Sequence, residues 1–552
     1  MWHALFVREI TALLGNRWSA TLVLGPLLLL SGLVVARWPS QGEVDVAGVR
    51  AREMFALVGY ATLGCVLILT PAYPATAIVR ERIRGTLALL LQTPLSRVGV
   101  YAGKFLGISV SLLLPLVMST PAIAACYAMG GIDLATDVFP FYAIVALTIV
   151  EYVSLSLWIS CFASTPSGAI RAAYGAVVVL SIMMLGPSLL VPQGATGAIV
   201  DFASWLQDFS PIPAVMAILE GTAGAGQASD ASGAIIRFSL TATLLTACFA
   251  LHTAAMLTPT MLDRIRATGT MTQDRSVAAR SSRRVWFIID PQRRASAMPD
   301  WINPVLVKEF RSRRFGRGHW LVRLVAACAI ASLALSYVAT TGAIAWSPEA
   351  IGATMVLLQA ALIILFTPSL GSGIISDEHE MGGWTLLCMT PLSARQIVLG
   401  KLLSAGLTVS LVLLATLPGY AVMILVKPVL YQQVRDVLLM LVLIAAFAVC
   451  LSGAVSAFFR RTTIATVTSQ LLLTTFLAAP MIFWLAREAP FGHRTVDRAL
   501  AFSPLAGALK LLEAPGFTSY QPLPTAWWTL GMGIAACLII LCWQTWQLTR
   551  PR

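Results

Sequence analysis

Charge is sparse in this chain. Only 11% of its 552 residues are Asp, Glu, Lys or Arg and 58% are apolar, whereas a soluble globular chain carries about 25% charge. That deficit excludes a water-soluble globular body and makes lipid the solvent of most side chains. Cysteine is present 9 times but without the spacing of a disulfide framework or a metal site. Cys65, Cys126, Cys161, Cys248, Cys328, Cys450, Cys537 and Cys542 fall in hydrophobic segments, and Cys388 in a polar one. A cleavable signal peptide is not expected, because Arg8, Glu9 and Arg17 interrupt the N-terminus before the first long apolar run. A phosphate-cradling loop needs G-x-x-x-x-G-K-[ST]. The nearest approaches, Gly99 to Phe105 and Gly400-Lys401-Leu402, lack the hydroxyl residue and open into hydrophobic segments. There are no paired carboxylates facing a pocket and no nucleophile–base–acid set, so neither catalysis nor a bound cofactor or metal is expected. The net charge of +13 invites a nucleic-acid partner, but its distribution along the chain rejects one.

What is present is said twice. Residues 70–106 read TPAYPATAIVRERIRGTLALLLQTPLSRVGVYAGKFL, and residues 367–403 read TPSLGSGIISDEHEMGGWTLLCMTPLSARQIVLGKLL. They align without a gap at an offset of 297, sharing Thr70/Thr367, Pro71/Pro368, Glu81/Glu378, Gly85/Gly382, Thr93/Thr390, Pro94/Pro391, Leu95/Leu392, Ser96/Ser393, Gly103/Gly400 and Lys104/Lys401. Most of these are polar, Gly or Pro, which a shared apolar composition would not produce. Val7-Arg8-Glu9 is matched by Val307-Lys308-Glu309, and Phe209-Ser210-Pro211 with Leu219-Glu220 by Phe502-Ser503-Pro504 with Leu512-Glu513. The duplicated unit is therefore a whole half of the chain.

A spanning helix needs roughly 20 apolar residues. Stretches near 18–37, 54–79, 104–129, 138–162, 170–191 and 235–259 meet that need, as do 319–340, 352–376, 401–427, 435–458, 464–486 and 526–547. The expected fold is an all-α polytopic membrane protein of about 12 transmembrane helices. It divides into a first six-span repeat (1–259), a basic linker (260–302) and a second six-span repeat (303–552). An even number of spans per half makes the repeats parallel, related by an axis along the membrane normal. With both termini in the cytoplasm, that side collects 27 Lys+Arg against 10 Asp+Glu, and the outer side 9 against 14. The positive-inside rule thus puts both copies of the repeated stretch in the cytoplasm of a multi-pass protein of the cell (inner or plasma) membrane.

Within each copy, a break at Pro71 or Pro368 obliges neighbouring groups to cover the freed backbone. A charged cluster follows, Arg80-Glu81-Arg82-Ile83-Arg84 or Asp377-Glu378-His379-Glu380, ended by Gly85 or Gly382, residues able to take φ > 0. Leu87, Leu90 and Leu91, or Trp384, Leu387 and Cys388, make an apolar stripe at helical spacing, and Thr-Pro stops one helix and starts the next. Lys104 and Lys401 are expected to snorkel to the headgroups. The product is a short amphipathic helix between two spans, read either as a simple interfacial anchor or as a docking element. Two copies suit a two-fold partner.

Among intramembrane polar residues, Glu151 admits a packing role or a place on a substrate or proton path. Arg237 and Arg323 are read as snorkelling, and His252 as bonded to another helix. Residues 264–317 carry 13 Lys+Arg, which suits anionic lipid.

The pattern Glu-x-x-x-Gly-Thr-Leu-x(5)-Thr-Pro-Leu-Ser-x(6)-Gly-Lys at 81–104 resembles the cytoplasmic loop of ABC-2-type permeases, the membrane subunits of ATP-binding-cassette exporters. Asn303-Pro304-Val305-Leu306-Val307-Lys308-Glu309-Phe310 and the Phe-Ser-Pro markers are similar to the same family. The resemblance covers both halves and implies two fused six-span permease units, with ATP and Mg bound by a separate cytoplasmic ABC ATPase present in two copies. In that family the stretch between spans two and three is the coupling helix that contacts the ATPase. The implied docking residues are Glu81, Arg82, Arg84, Gly85, Thr86, Thr93, Pro94, Leu95 and Ser96. Their counterparts are Glu378, Glu380, Gly382, Gly383, Trp384, Thr390, Pro391, Leu392 and Ser393. Glu81 and Glu378 would pair with basic residues of the ATPase. Gly383-Trp384 departs from the Thr86-Leu87 of the first copy, so the two docking sites need not be equal. The implied function is export by alternating access. An ion-coupled secondary transporter and a non-transporting assembly scaffold are the alternatives, and further dimerisation is left open.

Overall fold

The computed structural model describes residues 2–15, 19–38, 48–163, 165–181, 204–219, 228–258, 303–312, 348–485, 493–514 and 516–549, with isolated positions 184, 326, 329, 330 and 333. Every regular element among them is a helix. That follows from the solvent, since a backbone in hydrocarbon must satisfy its own polar groups. The chain divides into two compact units, Met1–Leu262 with Leu485–Gly492, and Asp263–Trp484 with His493–Arg552.

The first unit runs α1 (Trp2–Leu14), α2 (Ser19–Arg37), α3 (Val49–Leu69), α4 (Ala72–Ile83), α5 (Thr86–Gln92), α6 (Arg97–Met118), α7 (Thr120–Ala128), α8 (Phe139–Phe162), α9 (Pro166–Ser181), α10 (Pro211–Leu219) and α11 (Ala228–Met256). At its centre is α8. Buried residues run unbroken from Glu151 to Leu157, so every face of that helix is covered, as expected for a helix apolar all round. Helices α4, α6, α9, α10 and α11 pack on it.

The second unit runs α12 (Pro304–Ser312), α13 (Pro348–Gly371), α14 (Gly373–Met381), α15 (Trp384–Cys388), α16 (Ala394–Ala415), α17 (Leu417–Val426), α18 (Tyr431–Phe458), α19 (Thr462–Leu485), α20 (His493–Ala501), α21 (Pro504–Leu511) and α22 (Thr525–Thr549). Here α18 takes the central place, packed by α13, α14, α16, α21 and α22.

Among the described residues, eight helical runs are long and apolar enough to cross a membrane: Val49–Ile83, Arg97–Ala128, Leu134–Phe162, Ser232–Met256, Met355–Glu380, Arg395–Ala415, Pro428–Phe458 and Thr525–Gln547. The chain is thus an all-α multi-pass membrane protein. Three shorter apolar helices, Leu24–Val35, Gly168–Ser181 and Thr462–Leu477, fall on three further expected spans. The remaining one, 319–340, lies almost wholly outside the described residues, as does the linker 260–302.

The interruption of the second span follows Leu69 in the first unit, at Pro71. In the second unit Pro368 sits inside α13 and the interruption comes later, at Ser372. Pro211 opens α10 and Pro504 opens α21, where the Ser503 hydroxyl accepts from the Ala506 amide at 3.2 Å. Glu220 lies outside the described residues.

Candidate functional site

The repeated stretch is a bracket whose shared residues each shape the backbone. Gly85 and Gly382 both adopt φ 74°, and a Cβ at either would meet nothing within 4 Å. Backbone conformation, not space, selects glycine. Gly85→Ala and Gly382→Ala are each expected to cost about 1 kcal/mol, read as a lower thermal midpoint of the purified chain in detergent. The Thr93 hydroxyl donates to the Leu90 carbonyl at 2.6 Å, and that of Thr390 to Leu387 at 2.6 Å. Both threonines thereby close their short helix before the proline. Ser96 then caps α6 by accepting from the Gly99 amide at 3.0 Å. Ser393 caps α16 in a capping box with Gln396. At Gly383, where the second copy departs, a Cβ would oblige the Glu378 carboxylate to shift.

Behind each bracket lies a cluster of four charges. In the first unit the Lys104 ammonium, on α6, pairs with Glu9 of α1 at 3.0 Å and with Glu81 of α4 at 2.8 Å. Arg8 pairs with Glu9 at 2.6 Å and also with Glu81. In the second unit Lys401, on α16, pairs with Glu378 of α14 at 2.8 Å and with Glu309 of α12 at 3.3 Å, while Lys308 reaches Glu378 at 3.4 Å. Each cluster has two positive and two negative groups, so it is neutral as a whole. The lysine side chains are only 2% and 1% exposed. The expected snorkelling of Lys104 and Lys401 is thereby corrected. Two carboxylates lie inward within reach of each ammonium, and the helix ahead of the first span, the lead-in helix (α1 or α12), covers it. Gly107 and Gly400 allow that cover, since a Cβ at Gly107 would come within 2.8 Å of the Glu9 Cβ, and one at Gly400 within 2.8 Å of the Val305 Cβ.

Burial alone would raise the Glu9 carboxyl, but the Lys104 ammonium and the Arg8 guanidinium outweigh it and hold the pKa below its ordinary 4.5. A carboxylate depressed in the folded state contributes stability above its unfolded pKa and loses it as pH falls through the folded one. The α1 contact is therefore expected to persist from pH 7 to 5 and to loosen only below 4.5. Hydrogen exchange in residues 2–14, corrected for the intrinsic rate at each pH, checks this.

The end of the second span is also tied to the last turn of the central helix and to the residues just after it. The Ser160 hydroxyl accepts from the Ile78 and Val79 amides, both at 3.1 Å. The Ser456 hydroxyl accepts from Ile375 at 2.9 Å and Ser376 at 3.0 Å. These serines fasten α4 and α14 to the central helix of each unit. The buried Arg82 donates to the Cys161 carbonyl at 2.8 Å and to that of Ala163, at the C-terminus of α8. In the second unit Glu380 accepts from the Thr462 amide at 3.1 Å and its hydroxyl at 2.7 Å, at the N-terminus of α19. A cation meets the negative pole of one helix and an anion the positive pole of another. Both side chains are turned into the fold.

The outward face of the bracket differs from the stripe read in sequence. Leu87, Trp384 and Leu387 are buried, whereas Leu89 and Leu386 are 66% and 69% exposed. These two leucines occupy equivalent positions at the 297 offset, and sequence reasoning passed over them. Arg84, Gly85, Thr86, Thr93, Pro94 and Ser96 are exposed beside Leu89, with Leu95 partly so. Gly382, Thr390, Pro391 and Ser393 are exposed beside Leu386, with Gly383 and Leu392 partly so.

Further along the same two spans, each unit has a narrow, mostly apolar crevice lined by spans two and three, and in the first unit also by Pro26 and Leu30 of α2. The lining positions correspond at the 297 offset: Thr62/Gln359, Cys65/Leu362, Leu69/Phe366, Thr70/Thr367, Leu112/Val409 and Leu116/Leu413. The threonine before the proline and the leucine pair Leu116/Leu413 are identical between the two.

Glu151 is completely buried, and neither carboxyl oxygen has a hydrogen-bond partner among the described residues. One turn on, Ser154 lies 3.1 Å from the Tyr101 hydroxyl and donates to the Thr246 carbonyl at 3.2 Å. In the register set by Ser160 and Ser456, the second unit has the buried Phe447 in its place. His252 accepts from the Trp158 indole at 3.0 Å, the interhelical bond expected of it. Arg237, read as snorkelling, pairs with Asp208 at 3.0 Å. Arg323 lies outside the described residues. Among the described residues no group of His, Cys, Asp and Glu could hold a metal, and the cysteines are free.

Two helical repeats, each with a bracketed polar turn between its second and third spans, define a duplicated membrane transport component. The ABC-2 family transporter protein family matches residues 39–258 and again 318–542. The chain belongs to that family, in two fused copies. No curated protein matches it.

Proposed function

We propose that this chain is the permease subunit of an ATP-driven exporter, and that a separate cytoplasmic ABC ATPase grips it at two matching brackets. The observation that carries the reading is the pair of equivalent exposed leucines, Leu89 and Leu386, each on a short helix lying between the repeated glycine (Gly85 or Gly382) and the repeated Thr-Pro (Thr93-Pro94 or Thr390-Pro391). A rigid apolar knob rimmed by Arg84, Thr93, Pro94, Leu95 and Ser96, or by Thr390, Pro391, Leu392 and Ser393, suits a groove on a folded partner. Two such knobs suit two ATPase copies, which would hold the ATP and Mg. Glu81, Arg82, Glu378, Glu380 and Trp384 then shape the bracket from behind, because their side chains are held by groups of this chain or buried in it. Closure of the ATPase pair would shift both brackets and rock the halves between inward- and outward-open states.

Both termini and both brackets would face the cytoplasm. Cysteines placed at Leu89 and Leu386 in a chain freed of its native thiols test this in sealed cells. A membrane-impermeant maleimide should label neither until the membrane is opened. Labelling from outside would refute the orientation and with it the docking role.

A further inference from the structure

In each half, one buried lysine of the third span holds carboxylates from two different elements, the lead-in helix and the end of the second span. We infer that Lys104 and Lys401 are positioning residues, each acting as a latch that makes the lead-in helix (α1 or α12) a moving part of the coupling bracket. The inference rests on the permease reading for what drives the motion, but the latch itself rests on geometry alone.

The chemistry is specific. A lysine ammonium offers three donors and no acceptor, so one Nζ can serve Glu9 and Glu81 together at 3.0 and 2.8 Å. The second unit repeats the arrangement at 3.3 and 2.8 Å with Glu309 and Glu378. Because both lysines are almost fully enclosed, water cannot replace a lost partner cheaply. A push on α5 therefore reaches α6 through Glu81–Lys104, and reaches α1 through Lys104–Glu9.

Beyond the latch each unit has a small crevice beside spans two and three. Thr70 and Thr367, beside the interrupted segment, line it in both units. The two spans are thus pinned at one end, with a small crevice beside them further along. The outer cations differ, Arg8 in one half and Lys308 in the other, while the central lysine is the same. That difference fits a scheme in which the lysine is the joint and the exposed cation only balances charge.

The test is hydrogen exchange on the full-length chain in lipid nanodiscs. Lys104→Gln should raise exchange at least tenfold in both 2–14 and 86–92, and leave 304–312 and 384–388 unchanged. Glu9→Gln should free 2–14 alone, and Lys104→Arg should stay near wild type. In the ATPase complex trapped with ATP and vanadate, wild type should show the change in 86–92 carried into 2–14. In Lys104→Gln it should stop at 86–92. Unchanged exchange of 2–14 in Lys104→Gln, or transmission that survives it, would overturn the latch. A chain that binds no ATPase would instead overturn the permease reading, and the untrapped exchange pattern would still decide the latch.

Discussion

Lys401→Met is expected to cost about 3–5 kcal/mol, because it removes the shared partner of two carboxylates and leaves uncompensated buried charge. Lys104→Met should behave alike. By contrast, Lys308→Ala should cost below about 1 kcal/mol, since its side chain is 48% exposed and the pair it forms is screened by water. The same contrast holds between Lys104 and Arg8, which is also 48% exposed. Burial, not the number of ion pairs, decides the ranking. Unfolding of the purified chain in mixed micelles, followed by helix content against denaturant, measures all four. Equal losses for the buried and the exposed cations would mean that the clusters are ordinary surface pairs.

The second large effect belongs to the outward face. Leu89→Asp and Leu386→Asp should each remove roughly 2 kcal/mol of ATPase binding, about thirtyfold in affinity, as expected for an apolar anchor at the centre of an interface. Folding should be unaffected, because both side chains already stand largely in solvent. The double variant should lose the partner altogether, yet insert and melt as wild type does. If either leucine proves indispensable to folding and irrelevant to the partner, the knob has been assigned to the wrong surface.

The offset of 297 made the bracket legible from sequence because turns write themselves in residue type. A left-handed position asks for glycine, as at Gly85 and Gly382, and a helix start asks for serine, as at Ser96 and Ser393. The charge cluster was harder to see. Glu9 and Lys104 are 95 residues apart, and nothing local says that α1 folds back onto α6. The signal was nevertheless present, since Glu9, Glu81 and Lys104 each recur in the second half. Reading the lysines as headgroup anchors treated a span end as an edge, although the lead-in helix covers it. Leu89 and Leu386 were passed over because the helices that carry them span only Thr86–Gln92 and Trp384–Cys388. In so short a helix the buried face cannot be told from the exposed one by periodicity. Arg82 and Glu380 were docking charges only by the resemblance, and the proximity of a helix end in the fold shows where they turn.

Stoichiometry of the assembled complex is the most direct test of the central claim. Purified from its own membrane in mild detergent and weighed by native mass spectrometry, the chain should carry two copies of a P-loop ATPase. That complex should hydrolyse ATP, and Leu89→Asp with Leu386→Asp should strip both copies. A chain that purifies alone at the same yield, or one whose bound hydrolase is indifferent to those two substitutions, would contradict the account.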